Sequence, residues 1–203
     1  MGIQERKERE KQELRNLILS TAAELFRMKG YEKTSMRAIA KAIEYSPGTI
    51  YRYFKDKDEL LYEVSVRGFQ LFFEYLSSVR EIKDPMEQLR KLGEVYIQFA
   101  LDYPSYYDLM FIMNDPMRSI KEKESWKEGE TSHGVLTNII RECQEVGYFS
   151  GYDINELSLM IWGQVHGIVS LHLRDRMHMY QESDPQKLMN NAVSIFKDAI
   201  SKL

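Results

Sequence analysis

The sequence predicts an all-α protein of about nine or ten helices, and three observations carry that expectation. Leu, Met, Lys, Glu and Ala are frequent while alternating β-branched runs are rare, which favours helix over strand. Apolar residues recur at three- and four-residue spacing over long stretches, beginning with Leu14, Leu17, Ile18, Ala22, Leu25 and Phe26. Capping residues, often followed by Pro, open most of these stretches, and Gly or X-Pro closes several, the usual punctuation of helices. An apolar fraction of 43% with only five Pro and eleven Gly in 203 residues supports a real core and argues against long disordered linkers. The expected division is a three-helix helix-turn-helix domain over residues 1–56 and a larger helical domain over 57–203.

The first helix ends at Met28-Lys29-Gly30, where glycine suits the left-handed position after the last turn. The charged tail before it either extends that helix through Glu/Lys pairs or frays. Thr34 or Ser35 caps a second helix, Met36 to about Ile43, with Met36, Ile39, Ala40 and Ile43 turned inward. After a break of two or three residues, Ser46 caps a third helix with Pro47 at its first position, where the missing N–H costs nothing. Two helices joined by so short a turn form a helix-turn-helix. Asp56 and Glu59 make a capping-box-like start for a long connector from Lys57 to about Arg80. Asp84-Pro85 opens a helix to about Asp102, Tyr103-Pro104 breaks it, and a short helix follows to about Met113. Asn114-Asp115-Pro116 is a second break, followed by a polar Lys/Glu-rich stretch and a helix from about Gly129 to Glu145 that closes at Gly147. Tyr152-Asp153 opens a helix to about Met179, and Asp184-Pro185 opens the last.

Charge is distributed unevenly. Residues 1–60 carry 13 Lys and Arg against 10 Asp and Glu, whereas residues 61–203 carry 15 against 21. Arg27–Lys57 alone holds eight basic against three acidic residues, as expected if only that part approaches a polyanion. The single cysteine, Cys143, allows no intrachain disulfide and fits a reducing, cytoplasmic compartment. It lies among Ile139, Ile140 and Val146 at helical spacing, which reads as buried filler rather than a nucleophile. The start, MGIQERKEREKQELR, has no apolar core and does not read as a signal peptide. Leu157–Leu173 lacks charged residues for 17 positions but is interrupted by Gln164, His166 and His172, so it reads as a buried helix, with no membrane partner.

The stretch Tyr45–Phe54, YSPGTIYRYF, holds the most chemistry. With Ser46 as cap and Pro47, Gly48 and Thr49 in the first turn, Ile50 and Phe54 point inward at Ile39 and Ala40. Thr49, Arg52 and Tyr53 then share the opposite face, with Tyr51 at its edge. Helix N-terminal N–H groups suit phosphate, and Gly48 lets the backbone come close. Thr and Tyr hydroxyls donate to phosphate oxygens, and Arg52 reaches a phosphate or a guanine edge. Lys55 and Lys57 flank the surface and add counterion-release affinity. The competing reading is a three-helix unit in which the tyrosines only pack.

The segment GYEKTSMRAIAKAIEYSPGTIYRYFKDKDELL, Gly30 to Leu61, resembles the DNA-binding region of TetR-type transcriptional regulators. The likeness covers the helix ends, the turn, the Gly-Thr-aliphatic-Tyr-x-Tyr-Phe run and the lysine before the connector. It implies that Thr34 or Ser35, Thr49, Tyr53 and Lys57 contact phosphates, and that Arg37, Pro47, Tyr51 and Arg52 lie at or near base edges. Ser46 and Gly48 complete the expected DNA-binding set. The family usually has Gly in the interhelical turn where this chain has Glu44. A non-Gly residue at positive φ costs free energy, so either the turn is adjusted or Glu44 points away.

In the larger domain, Tyr103–Phe111 and the Trp-Gly-Gln-Val-His-Gly run at 162–167 resemble the effector domain of the TetR subgroup named for its Trp, His and Gly. That likeness implies a small-molecule pocket and a dimer made by the last two long helices. A pocket needs mostly apolar walls with a few polar anchors. The candidates are Tyr96, Phe99, Tyr103, Tyr107, Met110, Phe111, Trp162 and His166, although an aromatic and Met stripe at helical spacing is usually core. Gly163 and Gly167, four apart, permit close helix approach. The last helix carries a stripe wider than one neighbour requires, so Leu157, Ile161, Ile168, Leu188, Val193, Phe196 and Ile200 are the expected dimer contacts. A twofold dimer addresses two half-sites, so the duplex partner should be an inverted repeat. The expected function is a regulator, a repressor by family habit, released from its operator by a small, largely apolar or aromatic effector. The alternative is a ligand-independent architectural or partner-binding helix-turn-helix dimer. No cofactor is expected. The four histidines show no metal-ligand spacing, and no phosphate-cradling Gly loop or nucleophile elbow suggests an enzyme.

Overall fold

The computed structural model describes residues 2–113, 127–180 and 184–203. The expected break at Asn114-Asp115-Pro116 and the polar stretch after it lie outside the described residues. Nine α-helices and no strand occur among the described residues: α1 Ile3–Lys29, α2 Met36–Ala42, α3 Pro47–Tyr51, α4 Lys57–Ser77, α5 Pro85–Asp102, α6 Pro104–Phe111, α7 Lys127–Glu145, α8 Ile154–Leu173 and α9 Pro185–Ile200.

The caps explain the boundaries. Ser35 Oγ accepts from Ala38 N, Ser46 Oγ from Thr49 N, Asp84 Oδ1 from Glu87 N and Asp184 Oδ1 from Lys187 N. Asp153 Oδ1 accepts from both Asn155 N and Glu156 N. Each side chain satisfies N–H groups that the first turn leaves without a backbone partner. Asp56 Oδ1 accepts from Glu59 N at 2.8 Å, while Glu59 reaches back to Lys55 N rather than to Asp56 N. The charged tail is helical: α1 starts at Ile3, with exposed Arg6–Glu10 and Arg9–Glu13 pairs one turn apart.

Two helices end earlier than expected. In α4 the last residues tighten into three-residue turns, Ser78 N to Tyr75 O and Val79 N to Leu76 O. In α8 the stop is Asp175, at φ 58°. Asp175 N donates to His172 O and Arg176 N to Leu171 O, a left-handed cap without glycine.

The described chain forms two compact units. One holds residues up to Gln70 together with α6 from Ser105; the other holds Leu71–Pro104 and Lys127–Leu203. This division differs from the expected boundary at 56/57 because α4 is one continuous helix whose residues fall in both units. In the first unit Ile18, Leu19, Ala22 and Phe26 of α1, Ile39 and Ala40 of α2, Ile50 and Phe54 around α3, and Leu60, Leu61 and Val64 of α4 are all buried. Leu17 of α1, one of the apolar residues at helical spacing, is 44% exposed, and Leu19 is buried. The same unit packs Phe69 edge-on to Phe111. It also brings Gly68 so close to α6 that a Cβ there would lie 2.6 Å from Met110 Sδ.

In the second unit α5 packs against α7, α8 and α9. Gly93 permits the closest approach, since a Cβ there would lie 2.7 Å from Val193 Cγ1. Glu87 of α5 pairs with Lys197 of α9 at 3.0 Å and with Arg90 at 2.7 Å. These partners hold its carboxyl below the usual range, chiefly through the Arg90 hydrogen bond and then that of Lys197. Cys143 is fully buried with its Sγ 3.7 Å from Met86 Sδ. Burial pushes its thiol up to about 12, so it stays protonated near neutrality. No described helix is long and apolar enough to cross a membrane.

Candidate functional site

The helix-turn-helix is built from α2, α3 and the turn between them. Ile50 and Phe54 point into the core and leave the far side of α3 to solvent. Ser35, Arg37, Ser46, Gly48, Tyr51 and Arg52 are exposed, and Pro47, Thr49, Tyr53 and Lys57 are half-buried. Ser46 Oγ lies 3.0 Å from Thr49 Oγ1, so the two hydroxyls sit side by side at the start of α3. Beyond α3 the chain stays wound, with Tyr53 N and Phe54 N both donating to Ile50 O. Tyr51 and Arg52 therefore share a fixed edge with Gly48 and Thr49.

Thr34 leaves this set. It is 2% exposed, and its hydroxyl donates to Gly30 O at 2.9 Å and Leu25 O at 3.2 Å. It ties the loop after α1 to that helix's own carbonyls, and Ser35 is the residue at the surface.

The turn takes a left-handed backbone at a non-glycine residue. Glu44 takes φ 59°, its N–H donates to Lys41 O, and Tyr45 N donates to Ala40 O. That pairing closes α2 as a glycine would, at a steric cost of roughly 1–2 kcal/mol for the left-handed conformation. The Glu44 side chain is exposed. Glu44→Gly should therefore raise the thermal midpoint by a few degrees, partly offset by glycine's greater freedom when unfolded. A midpoint that falls would show that the turn does not carry this strain.

The expected effector residues are divided between the two units. Tyr107, Met110 and Phe111 belong to the first, where the Tyr107 ring packs tilted against Phe111 at 5.3 Å and Met110 fills the space over Gly68. Tyr96, Phe99, Tyr103, Trp162 and His166 belong to the second. There Phe99 is fully buried between Phe72, Tyr75 and Tyr103, at centroid distances of 4.9, 5.8 and 5.7 Å. Tyr107 and Phe99 are thus core side chains in the described packing.

Trp162, Tyr96 and His166 form a connected polar group. Trp162 Nε1 donates to Tyr96 Oη at 3.1 Å, and Tyr96 Oη lies 3.1 Å from His166 Nδ1. Burial lowers the His166 pKa, which favours the neutral ring. Tyr96 then donates to Nδ1 while accepting from the indole. The spacing of Trp162 and His166 was legible as one helix face, but their shared partner on α5 was not.

The expected dimer residues also divide. Leu157, Ile161, Val193 and Ile200 are buried within the single chain, and Val193 is the side chain that packs on Gly93. Ile168, Leu188 and Phe196 are only half-buried. Part of the stripe packs into the core of the chain itself. Other apolar side chains on these two helices face solvent: Met160 and Leu171 on α8 are 41% and 46% exposed, and Ile195 on α9 is 71% exposed. Gly163 and Gly167 have nothing within 4 Å of where a Cβ would stand. Gly167, Ser170, Leu171, Arg174 and Arg176 line a groove at the end of α8.

Comparison with known proteins agrees with this geometry. The family described as "Bacterial regulatory proteins, tetR family" matches residues 18–64, and "Tetracyclin repressor-like, C-terminal domain" matches residues 89–196. An HTH-type transcriptional regulator of Staphylococcus aureus (strain MRSA252) is 30% identical over 107 residues, 52% of this chain and 58% of that protein. Another, from strain USA300, is 34% identical over 91 residues, 45% of this chain and 48% of the relative. The chain thus spans about half the length of these curated relatives. Among solved structures, the TetR family regulator PfmR from Thermus thermophilus is similar with a TM-score of 0.69 at 21% identity, covering 91% of this chain and 97% of that one. The fatty acid degradation regulator FadR from Bacillus halodurans gives 0.73 at 20% identity, covering 89% and 93%. These last two likenesses concern the fold.

Proposed function

Because the chain belongs to the tetR family of bacterial regulatory proteins, and is a transcriptional regulator with a DNA-binding helix-turn-helix rather than an enzyme, we propose that it is a repressor acting in the cytoplasm. It binds an inverted-repeat operator as a homodimer and is released by a small, largely apolar or aromatic effector. The observation that carries the reading is α3. Its inner face is fixed by Ile50 and Phe54, and its outer face offers Tyr51 and Arg52 to a groove. Ser35, Ser46, Thr49 and Tyr53 supply hydroxyls to the backbone phosphates, Gly48 and Pro47 allow close approach, and Arg37 and Arg52 reach base edges.

The dimer is formed by the outward faces of α8 and α9. Met160, Gly163, Gly167 and Leu171 recur at helical spacing on α8, and Leu188, Ala192, Ile195 and Ala199 do so on α9. Exposed aliphatic side chains beside glycines with nothing over them support close approach by a second copy. The effector meets the second unit near the Tyr96–Trp162–His166 group, whose hydrogen-bonding atoms are the polar anchors of an otherwise apolar region. Ligand and operator prefer different arrangements of the dimer, and α4, with residues in both units, links the effector region to the head. A coupling of ~1–3 kcal/mol would change operator affinity by roughly 5–150-fold.

The test is selection of duplex fragments from random-sequence and genomic pools by the purified protein, followed by footprinting. The expected result is one inverted repeat with half-sites about one helical turn apart. Salt-sensitive binding without sequence preference would overturn the reading. Operator affinity indifferent to every apolar and aromatic compound tested would favour the ligand-independent dimer.

A further inference from the structure

In the single chain one side of α8 is left bare. Leu159, at 68% exposure, faces solvent more fully than Met160 or Leu171 of the same helix. Gly163 and Gly167 have nothing within 4 Å of where a Cβ would stand. Past them Gly167, Ser170, Leu171 and Arg174, with Arg176, line the groove at the end of the helix. The first four stand at i, i+3, i+4 and i+7. That is the spacing of the hole that receives one side chain of a facing helix in knobs-into-holes packing. The ends of this side are charged and exposed: Glu156 in the first turn and Arg174 at the C-cap.

These residues are symmetric in spacing about position 165 and complementary in chemistry. Gly163 and Gly167 lie two positions to either side of it, Leu159 and Leu171 six, and Glu156 and Arg174 nine. At 3.6 residues per turn all six fall within roughly 120° of the helix surface. A twofold axis through this point, perpendicular to α8, lays the same helix of a second copy antiparallel and exchanges the members of each pair. Glycine then crosses glycine, so the backbones can approach closely. Leucine meets leucine, and each carboxylate meets a guanidinium. The five N–H groups of an arginine allow Arg174 to keep a contact within its own chain and still take that carboxylate. A parallel pairing would instead set Glu156 against Glu156 and Arg174 against Arg174, like charge on like.

We propose that α8 pairs with α8 of a second copy in an antiparallel register centred on residue 165. The partner's Leu159 enters the groove between Gly167 and Arg174, and the partner's Glu156 pairs with Arg174. The proposal rests on the homodimer reading above and deepens it by naming the residues that fix the register. The groove is continuous with the bare glycine face, so one occupant covers both. The two end pairs, related by the axis, act as a key. A slip of one helical turn, about 5.4 Å, takes glycine off glycine, lifts the leucine from its hole and parts both ion pairs at once.

The experiment reads the register twice, in the full chain. Leu159→Cys and Leu171→Cys change exposed side chains, and the native Cys143 is fully buried, so a short bifunctional maleimide reports on the new thiols. Co-expressed, the two variants should cross-link to a dimer. Each alone should not, because position 159 and its symmetry mate stand roughly 18 Å apart along the helices, twelve residues of rise. The second reading is sedimentation at low salt. Glu156→Arg and Arg174→Glu should each weaken self-association by about tenfold or more, since like charges then face each other twice in the dimer. The chain carrying both changes should return to within about threefold of wild type. Cross-linking of Leu159→Cys alone overturns the antiparallel register. So does a wild-type dimer whose co-expressed cysteine variants fail to link, or a doubly reversed chain in which the two losses add. A wild-type chain that sediments as a monomer overturns the homodimer reading itself, so the two failures are distinct.

Discussion

Replacing Ile195 with aspartate should convert the protein to a monomer and abolish operator binding at concentrations where the wild type is saturated. Ile195 is 71% exposed on α9, so the substitution leaves the fold of one subunit intact; surface changes of this kind usually cost less than about 0.5 kcal/mol. In a twofold dimer the residue occurs twice, and each uncompensated carboxylate buried in the interface costs about 3–5 kcal/mol. Sedimentation should show the halved mass while circular dichroism shows unchanged helicity. Gly163→Leu provides an independent check. A Cβ at 163 meets nothing within 4 Å, and leucine is the better helix former by somewhat under 1 kcal/mol. The variant should melt higher as an isolated subunit yet dimerise more weakly, because the added side chain holds the partner helix away. Intact dimers in both variants would move the interface off this face. Val193→Asp would be uninformative by comparison, since Val193 packs on Gly93 inside its own subunit.

That contrast shows where sequence periodicity reaches its limit. The apolar stripe of α9 is wide, but the pattern cannot say which side chains meet which. Val193 and Ile200 turn to the core and Ile195 to solvent, and the assignment depends on the close approach allowed by Gly93. The helix-turn-helix was far more legible because its determinants are local. Ser35, Ser46 and Pro47 cap their helices as their chemistry requires, and Ile50 with Phe54 shares one face by simple spacing. The Glu44 turn was legible as a conflict, and the structure settles it by placing Glu44 at φ 59°. What local reasoning missed were long-range partners. Thr34 bonds to Leu25 O, Tyr31 holds Lys57 and Asp58, and Tyr96 joins Trp162 to His166. Arg15 of α1 likewise meets Glu63 of α4 at 2.5 Å and lies over the Phe54 ring. Each contact joins residues far apart in the chain, where spacing has no information. The early stop of α8 has a local cause: aspartate tolerates the left-handed conformation, and Asp175 uses it to end the helix.

Arg52→Ala should change which operators are preferred, with little effect on stability. Arg52 is exposed at the end of α3, while the core side chains on either side of it, Ile50 and Phe54, are untouched by the substitution. A bidentate arginine contact to a guanine edge is worth about 1–3 kcal/mol of discrimination against the wrong base. Both half-sites of an inverted repeat lose it together, so the effect on the whole operator is about 2–6 kcal/mol where the two contacts are independent. Binding to a set of operators with each base pair substituted in turn should become flat at one symmetric pair of positions and stay selective elsewhere. Tyr53→Phe provides the contrast: removing a hydroxyl from a phosphate oxygen should weaken all sequences alike by about 0.5–1.5 kcal/mol per half-site. The salt slope distinguishes the remaining case. If Arg52→Ala lowers affinity uniformly and reduces the slope by about 0.9 per half-site, Arg52 binds the backbone. Base reading would then fall to Tyr51 and Arg37, which are also exposed.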